Sequence, residues 1–216
     1  TPIARNDVLY PTKKSKISLT QKLRDNKAKH PRCVSIGYLN INSIRNKFTD
    51  IPCLIEDCLN IFAIAETKLD ASFPENQFLI DGMGKPYRLD VSDKKGGLLL
   101  FVNKDILSKY LQTLEVPKEI QVIPIEISLK QRKLLVLAIY RSPSQNLVYF
   151  LSSITHLLDH YLKYYEDYVI LGDFNVPEDD SKMKCFFNHQ LCNNIIKEKT
   201  CFKSMKGSCI DLILTS

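Results

Sequence analysis

The chain has 216 residues, 44% of them hydrophobic, with 30 Lys or Arg against 24 Asp or Glu and a net charge of +6. That is apolar material for one domain with a real core, and no apolar run approaches the roughly twenty residues that cross a bilayer. No membrane partner is expected, and the opening residues lack an apolar signal core, so the reading is of an intracellular protein.

The charge is unevenly placed. Residues 1–32 hold nine Lys or Arg and only Asp7 and Asp25 as acids, whereas residues 33–216 are nearly balanced. The first 32 residues read as a flexible basic arm, with a short helix conceivable over residues 18–29. Such an arm suits salt-sensitive contact with nucleic-acid phosphates, and equally an ordinary solvated linker. The seven cysteines contain no Cys-x-x-Cys pair and read as reduced thiols. Cys185, His189 and Cys192 have ligand-like spacing but no evident fourth partner, which argues against a zinc site.

Taken in order, residues 33–39 alternate as a first strand and open into Asn40-Ile41-Asn42-Ser43. A helix capped by Thr49-Asp50, with Pro52 in its first turn, leads to the short apolar strand 61–65, which ends at Glu66. Residues 67–95 look like loop. Gly96-Gly97 introduces a strand over 98–102. Residues 122–129 and 133–140 form a hairpin, whose second strand ends at Tyr140-Arg141. Apolar residues between 146 and 167 recur at helical spacing, and their aromatic stripe reads as core. The run 168–170 reads as a buried strand that breaks at Gly172 into an exposed turn carrying Asp173 and Asn175. A weaker helix over about 181–194 and a last strand over 208–214, with Asp211 inside it, complete the chain.

Asn40, Asn42, Glu66, Tyr140, Asp173 and Asn175 thus stand at strand ends, with Asp211 in the last strand. Each alone is an ordinary turn or strand-end residue; together they argue for one shared site. Oxygen donors of this kind suit a hard cation that is also held by phosphate oxygens. Tyr140 and Asn175 can donate hydrogen bonds to a phosphate under attack.

The ordered motifs Asn40-Ile41-Asn42-Ser43, Ala65-Glu66-Thr67-Lys68, Gly96-Gly97, Tyr140, Gly172-Asp173-Phe174-Asn175 and Ser208-x-x-Asp211 resemble the endonuclease/exonuclease/phosphatase superfamily. Within it, they look most like the apurinic-endonuclease-like domain of non-LTR retrotransposons of the jockey and CR1 type. The resemblance covers residues 33–216. It implies an α/β fold, a four-layered sandwich of two packed mixed sheets flanked by helices, and Mg²⁺-dependent (or Mn²⁺-dependent) hydrolysis of a DNA phosphodiester, in the nucleus. By motif, Glu66, Asn40 and Asn42 would hold the metal. Asp173 would activate water, Asn175 and Tyr140 would hold the scissile phosphate, and Asp211 would position a histidine. From their positions, Arg141 and Lys68 are expected to add DNA phosphate contacts.

The family closes with a Ser-Asp-His type motif on a strand beyond Asp211, and none of the four histidines here, 30, 156, 160 and 189, matches it. The expectation is therefore a copy truncated at its carboxyl end, lacking the terminal strand, with weak or no nuclease activity. The alternative is a catalytically dead DNA-binding or scaffold module that keeps the fold.

Overall fold

The computed structural model describes residues 18–55, 57–91, 95–112, 116–117, 119–130, 132–202 and 207–216. Much of the basic arm, residues 1–17, lies outside them. Its remainder forms helix α1 (Leu19–Lys29), capped by the Ser18 hydroxyl, which accepts from the Gln21 N–H. Then follow β1 (Ile36–Asn40), α2 (Asp50–Ile55), β2 (Ile61–Ala65), β3 (Tyr87–Leu89), β4 (Leu98–Val102), β5 (Ser108–Tyr110), β6 (Gln121–Ser128) and β7 (Lys133–Tyr140). The chain continues with α3 (Leu147–Tyr161), β8 (Asp167–Asp173), α4 (Ser181–Gln190), β9 (Asn193–Asn194) and β10 (Asp211–Thr215).

The strands make two mixed sheets, ordered β1-β2-β4-β3 and β5-β6-β7-β8-β10-β9. Alternation along each strand assigns its residues to one of three cores. Ile61, Ala63 and Ala65 of β2 and Leu98, Leu100 and Val102 of β4 face Ile123, Ile125 and Ile127 of β6 and Val169 and Leu171 of β8, between the sheets. The opposite faces, Phe62, Ile64, Leu99 and Phe101, pack under α2 through Ile51 and Ile55. The outer face of the second sheet, with Leu135, Leu137 and Ile170, is covered by α3 and α4. Burial on both faces explains why these strands read as continuous apolar runs. The result is the expected four-layered α/β sandwich.

α1 is pinned where β1 and β2 begin. The Lys27 ammonium donates to Asn60 Oδ1 at 2.6 Å and lies 3.4 Å from Ser35 Oγ. The carboxyl ends of β1 and β2, with Asn40 opposite Ala65, are at the other end of the sandwich.

Several boundaries differ from the sequence reading. The loop 67–95 contains β3 and a 3₁₀ turn, Glu75–Phe78. The long helix stops at Tyr161, and Tyr165 beyond it turns inward to donate to Glu126 Oε2 at 2.6 Å. α4 ends at Gln190 because Leu191 adopts a left-handed conformation, φ 51°. The last strand starts at Asp211, since Ser208 pairs back with Cys201.

Gly172 does not break β8, which runs on through Asp173. A Cβ at residue 172 would lie 2.1 Å from the Ile139 carbonyl oxygen of β7, so the glycine is there to let two strands approach. Gly172→Ala is expected to cost about 1–3 kcal/mol through overpacking and to lower Tm by roughly 2–12 °C, read by thermal unfolding. An unchanged Tm would contradict the close approach.

Glu126 is buried in β6 and meets Tyr165, Lys133 Nζ at 3.2 Å and Lys109 Nζ at 3.6 Å. Its carboxyl is held below the ordinary value, first by the Tyr165 hydrogen bond and then by the lysines. A depressed carboxyl stabilises the fold above its unfolded value, about 4.3, and loses that effect as pH falls further. The stability gap between wild type and Glu126→Gln should therefore be wide at pH 7 and shrink in urea melts below about pH 4.

Candidate active site

The inward-facing rows of four strands end at one rim. Asn40 continues the parity of Ile36 and Tyr38, Tyr140 that of Val136 and Ala138, Asp173 that of Val169 and Leu171, and Asp211 that of Ile213. Register aligns them, because Tyr140 pairs with Asp173 across parallel β7 and β8, and Asp211 pairs with Asp173 across antiparallel β10 and β8. The pleat that buries the core therefore delivers polar tips to the mouth between the sheets.

Asn40 joins the two sheets there. Its Nδ2 donates to Glu66 Oε1 at 2.8 Å and to Asp173 Oδ2 at 2.9 Å. Its Oδ1 accepts the Asn42 N–H at 3.1 Å. Only this amide orientation satisfies all three partners, since the reverse would set an oxygen against two carboxylates. In this arrangement Asn40 presents its donor to the two carboxylates and its oxygen to the turn after β1. Asn42 is exposed and its Oδ1 accepts from the Lys68 ammonium, so it too is engaged at the rim. Lys68 Nζ stands 4.0 Å from Glu66 Oε2.

Asp173 is 2% exposed, not on an open turn. Its Oδ1 accepts the Asn175 N–H at 2.7 Å. Burial, then the neighbouring charge of Asp211, pushes the Asp173 carboxyl up to about 7. Burial likewise raises Asp211, whose Oδ1 has no hydrogen-bond partner among the described residues. Burial, followed by the Glu66 and Asp173 charges, keeps the Tyr140 phenol protonated beside Glu66 and Asn175.

Arg141 is turned inward instead of reaching toward a phosphate. It is 7% exposed, and its Nη1 donates to the Phe174 carbonyl at 2.9 Å and lies 3.4 Å from that of Asn175. Asn175 Nδ2 donates back to the Arg141 carbonyl at 2.8 Å. The guanidinium is a brace for the Asp173–Asn175 loop. The four histidines stay away from this rim, at the α1 cap, on α3 and on α4.

Two further residues at the site were not singled out by sequence. Thr200 Oγ1 accepts the N–H groups of Ile210 and Asp211, both at 3.0 Å, and so fixes the start of β10. Tyr38 aims a buried hydroxyl toward Asp173 and Asp211. The inward parity of Tyr38 is visible in the sequence, whereas Thr200 reaches Asp211 through a loop whose path is not.

Among the described residues no three His, Cys, Asp or Glu side chains converge as a metal group. A cation at this rim would therefore rest on Glu66 and Asp173, completed by waters and phosphate oxygens. That is how Mg²⁺ is commonly held, and an all-oxygen donor set with an orphaned carboxylate oxygen nearby fits a hard cation. Cys185, His189 and Cys192 form no metal group, and all seven cysteines are free thiols.

The raised Asp173 carboxyl has a defined sign. Its stabilising effect is complete below the unfolded value of about 3.9 and is lost as pH rises through about 7. In metal-free buffer the Asp173 carboxyl carbon should titrate near pH 7 by NMR, and saturating Mg²⁺ should move the midpoint down. A midpoint near 4 without metal would contradict the burial and charge described.

No family profile matches the chain, and no curated protein sequence does. Solved structures do. The 3′ phosphatase NExo of Neisseria, bound to a product DNA hairpin, superposes with a TM-score of 0.63 at 17% identity, over 85% of this chain and 87% of its own. The endonuclease domain of TRAS1, a telomere-specific non-LTR retrotransposon, gives 0.61 at 12% over 85% of each chain. An AP endonuclease from Archaeoglobus fulgidus gives 0.60 at 16% over 84% and 86%. The chain shares the α/β-sandwich fold of these three structures.

Proposed function

We propose that this chain is the metal-dependent DNA endonuclease domain of a non-LTR retrotransposon, hydrolysing a phosphodiester to nick its target in the nucleus. The observation that carries this reading is the Asn40 amide holding Glu66 and Asp173 together across the two sheets. Glu66 would hold Mg²⁺, or Mn²⁺, against a scissile phosphate. Asp173, held across the rim by the Asn40 amide, is placed to orient an attacking water or take its proton. Tyr140 and Asn175 offer hydrogen bonds to the charge growing on phosphorus-bound oxygens. Lys68 at the rim adds a cation for the DNA backbone. The apurinic-type and jockey/CR1-type motifs favour DNA over the sugar or lipid phosphates that the same fold can address.

One observation favours a second reading, a DNA-binding module without catalysis. No imidazole lies at the site among the described residues, so Asp211 has none to orient and the reaction has one fewer proton-transfer group. The nuclease is therefore expected to be slow.

Supercoiled plasmid and Mg²⁺ test both. Slow nicking is expected, with Asp173→Asn and Glu66→Gln each reducing it about 100-fold or more. Absent nicking, together with DNA affinity that falls steeply with salt, would replace the enzyme with the binding module.

A further inference from the structure

Glu66 sits in a backbone that would not hold itself. Glu66 and Lys68 both adopt left-handed conformations, φ 53° and 54°, which side-chain-bearing residues rarely adopt. The segment is held on one side by residues 43 and 44, whose N–H groups donate to the Glu66 and Thr67 carbonyls at 2.7 and 3.1 Å. On the other side the Lys68 N–H donates to the Gly96 carbonyl at 2.9 Å and the Thr67 N–H to that of Gly97 at 3.3 Å. The Gly96–Gly97 turn takes φ 65° and 90°, a region open to glycine, so its backbone needs an outside partner to fix it. What fixes it comes from the other sheet: Gln121, the first residue of β6 and 7% exposed, accepts the Gly97 N–H on its Oε1 at 2.9 Å. Fit is close, since a Cβ on Gly96 would lie 2.4 Å from that same oxygen. Gln121 shares the inward parity of Ile123 and Ile125 and pairs with Tyr140, so it stands on the same rim as the candidate site.

We propose that Gln121 is a positioning residue for Glu66, its amide oxygen clamping the Gly96–Gly97 turn from the second sheet so that the turn's two carbonyls fix the backbone on which the Glu66 carboxylate is aimed. The inference rests on the reading of Glu66 as a metal ligand. Gln121 touches neither metal nor substrate. Its effect is that the two sheets cannot shift against each other without moving Glu66, which makes the geometry between Glu66 and Asp173 a property of the whole sandwich. Partners that orient a ligand from behind typically contribute 10–100-fold to metal affinity.

The test compares wild type, Gln121→Met, which keeps side-chain length but loses the acceptor, and Gln121→Glu, which restores an acceptor oxygen. Mg²⁺ affinity is read by isothermal titration, and backbone hydrogen exchange is read at Thr67, Lys68 and Gly97. Gln121→Met should weaken Mg²⁺ binding about tenfold or more and speed exchange at those three amides, while Gln121→Glu should recover both. Mg²⁺ affinity in Gln121→Met within twofold of wild type overturns the proposal, as does an equal loss in both variants. A wild type that binds no Mg²⁺ overturns the metal-centre reading, and this proposal with it as far as metal is concerned. Unchanged exchange in Gln121→Met overturns the proposal while leaving the metal-centre reading intact.

Discussion

A single primary amide makes this rim one site. Asn40 places its two N–H bonds on Glu66 of the first sheet and Asp173 of the second. Without such a donor the two carboxylates would face each other across a mouth of low dielectric, and repulsion would drive them apart or force a proton onto one. With it, both stay in place in the absence of a cation. The amide is in turn held by the Asn42 N–H on its oxygen, so its orientation follows from the backbone of the turn after β1.

Around that bridge the site is an extension of the core. The rows Ile61-Ala63-Ala65, Val136-Ala138-Tyr140 and Val169-Leu171-Asp173 are apolar where the sheets touch and become polar only at their last members or just beyond. Burial at the rim explains the electrostatics: Asp173, Asp211 and Tyr140 are all shifted toward their neutral forms chiefly by desolvation. A phosphate and a cation arriving together would meet groups already stripped of water, which strengthens each interaction. Arg141 and Gln121 serve the same end by holding the Asp173–Asn175 and Glu66–Lys68 loops from behind.

The layers were legible in the sequence because two-sided burial writes itself as unbroken apolar strands and α3 as a clean helical stripe. The carriers of the site were legible because strand-end polarity is local. What remained hidden depends on tertiary partners. β3 and β5 are three-residue edge strands with no periodicity to read. Gly172 looks like a turn until the Ile139 carbonyl beside it is known. Arg141 offers a free guanidinium in the sequence, and only the fold turns it onto the Phe174 and Asn175 carbonyls. The partners of the Asn40 and Asn42 amide oxygens, the Asn42 N–H and Lys68, likewise come from the folded turn and are not readable from the sequence.

In the proposed function the two sheets close around one divalent cation between Glu66 and Asp173. Diffraction from crystals soaked in Mn²⁺, with anomalous scattering at the metal edge, tests it most directly. A peak is expected at metal–oxygen distance, about 2.0–2.2 Å, from the Glu66 carboxylate and on the Asp173 side of the rim. Ordered crystals with no peak at that rim, or with Mn²⁺ bound only at the α1 end of the sandwich, would contradict it.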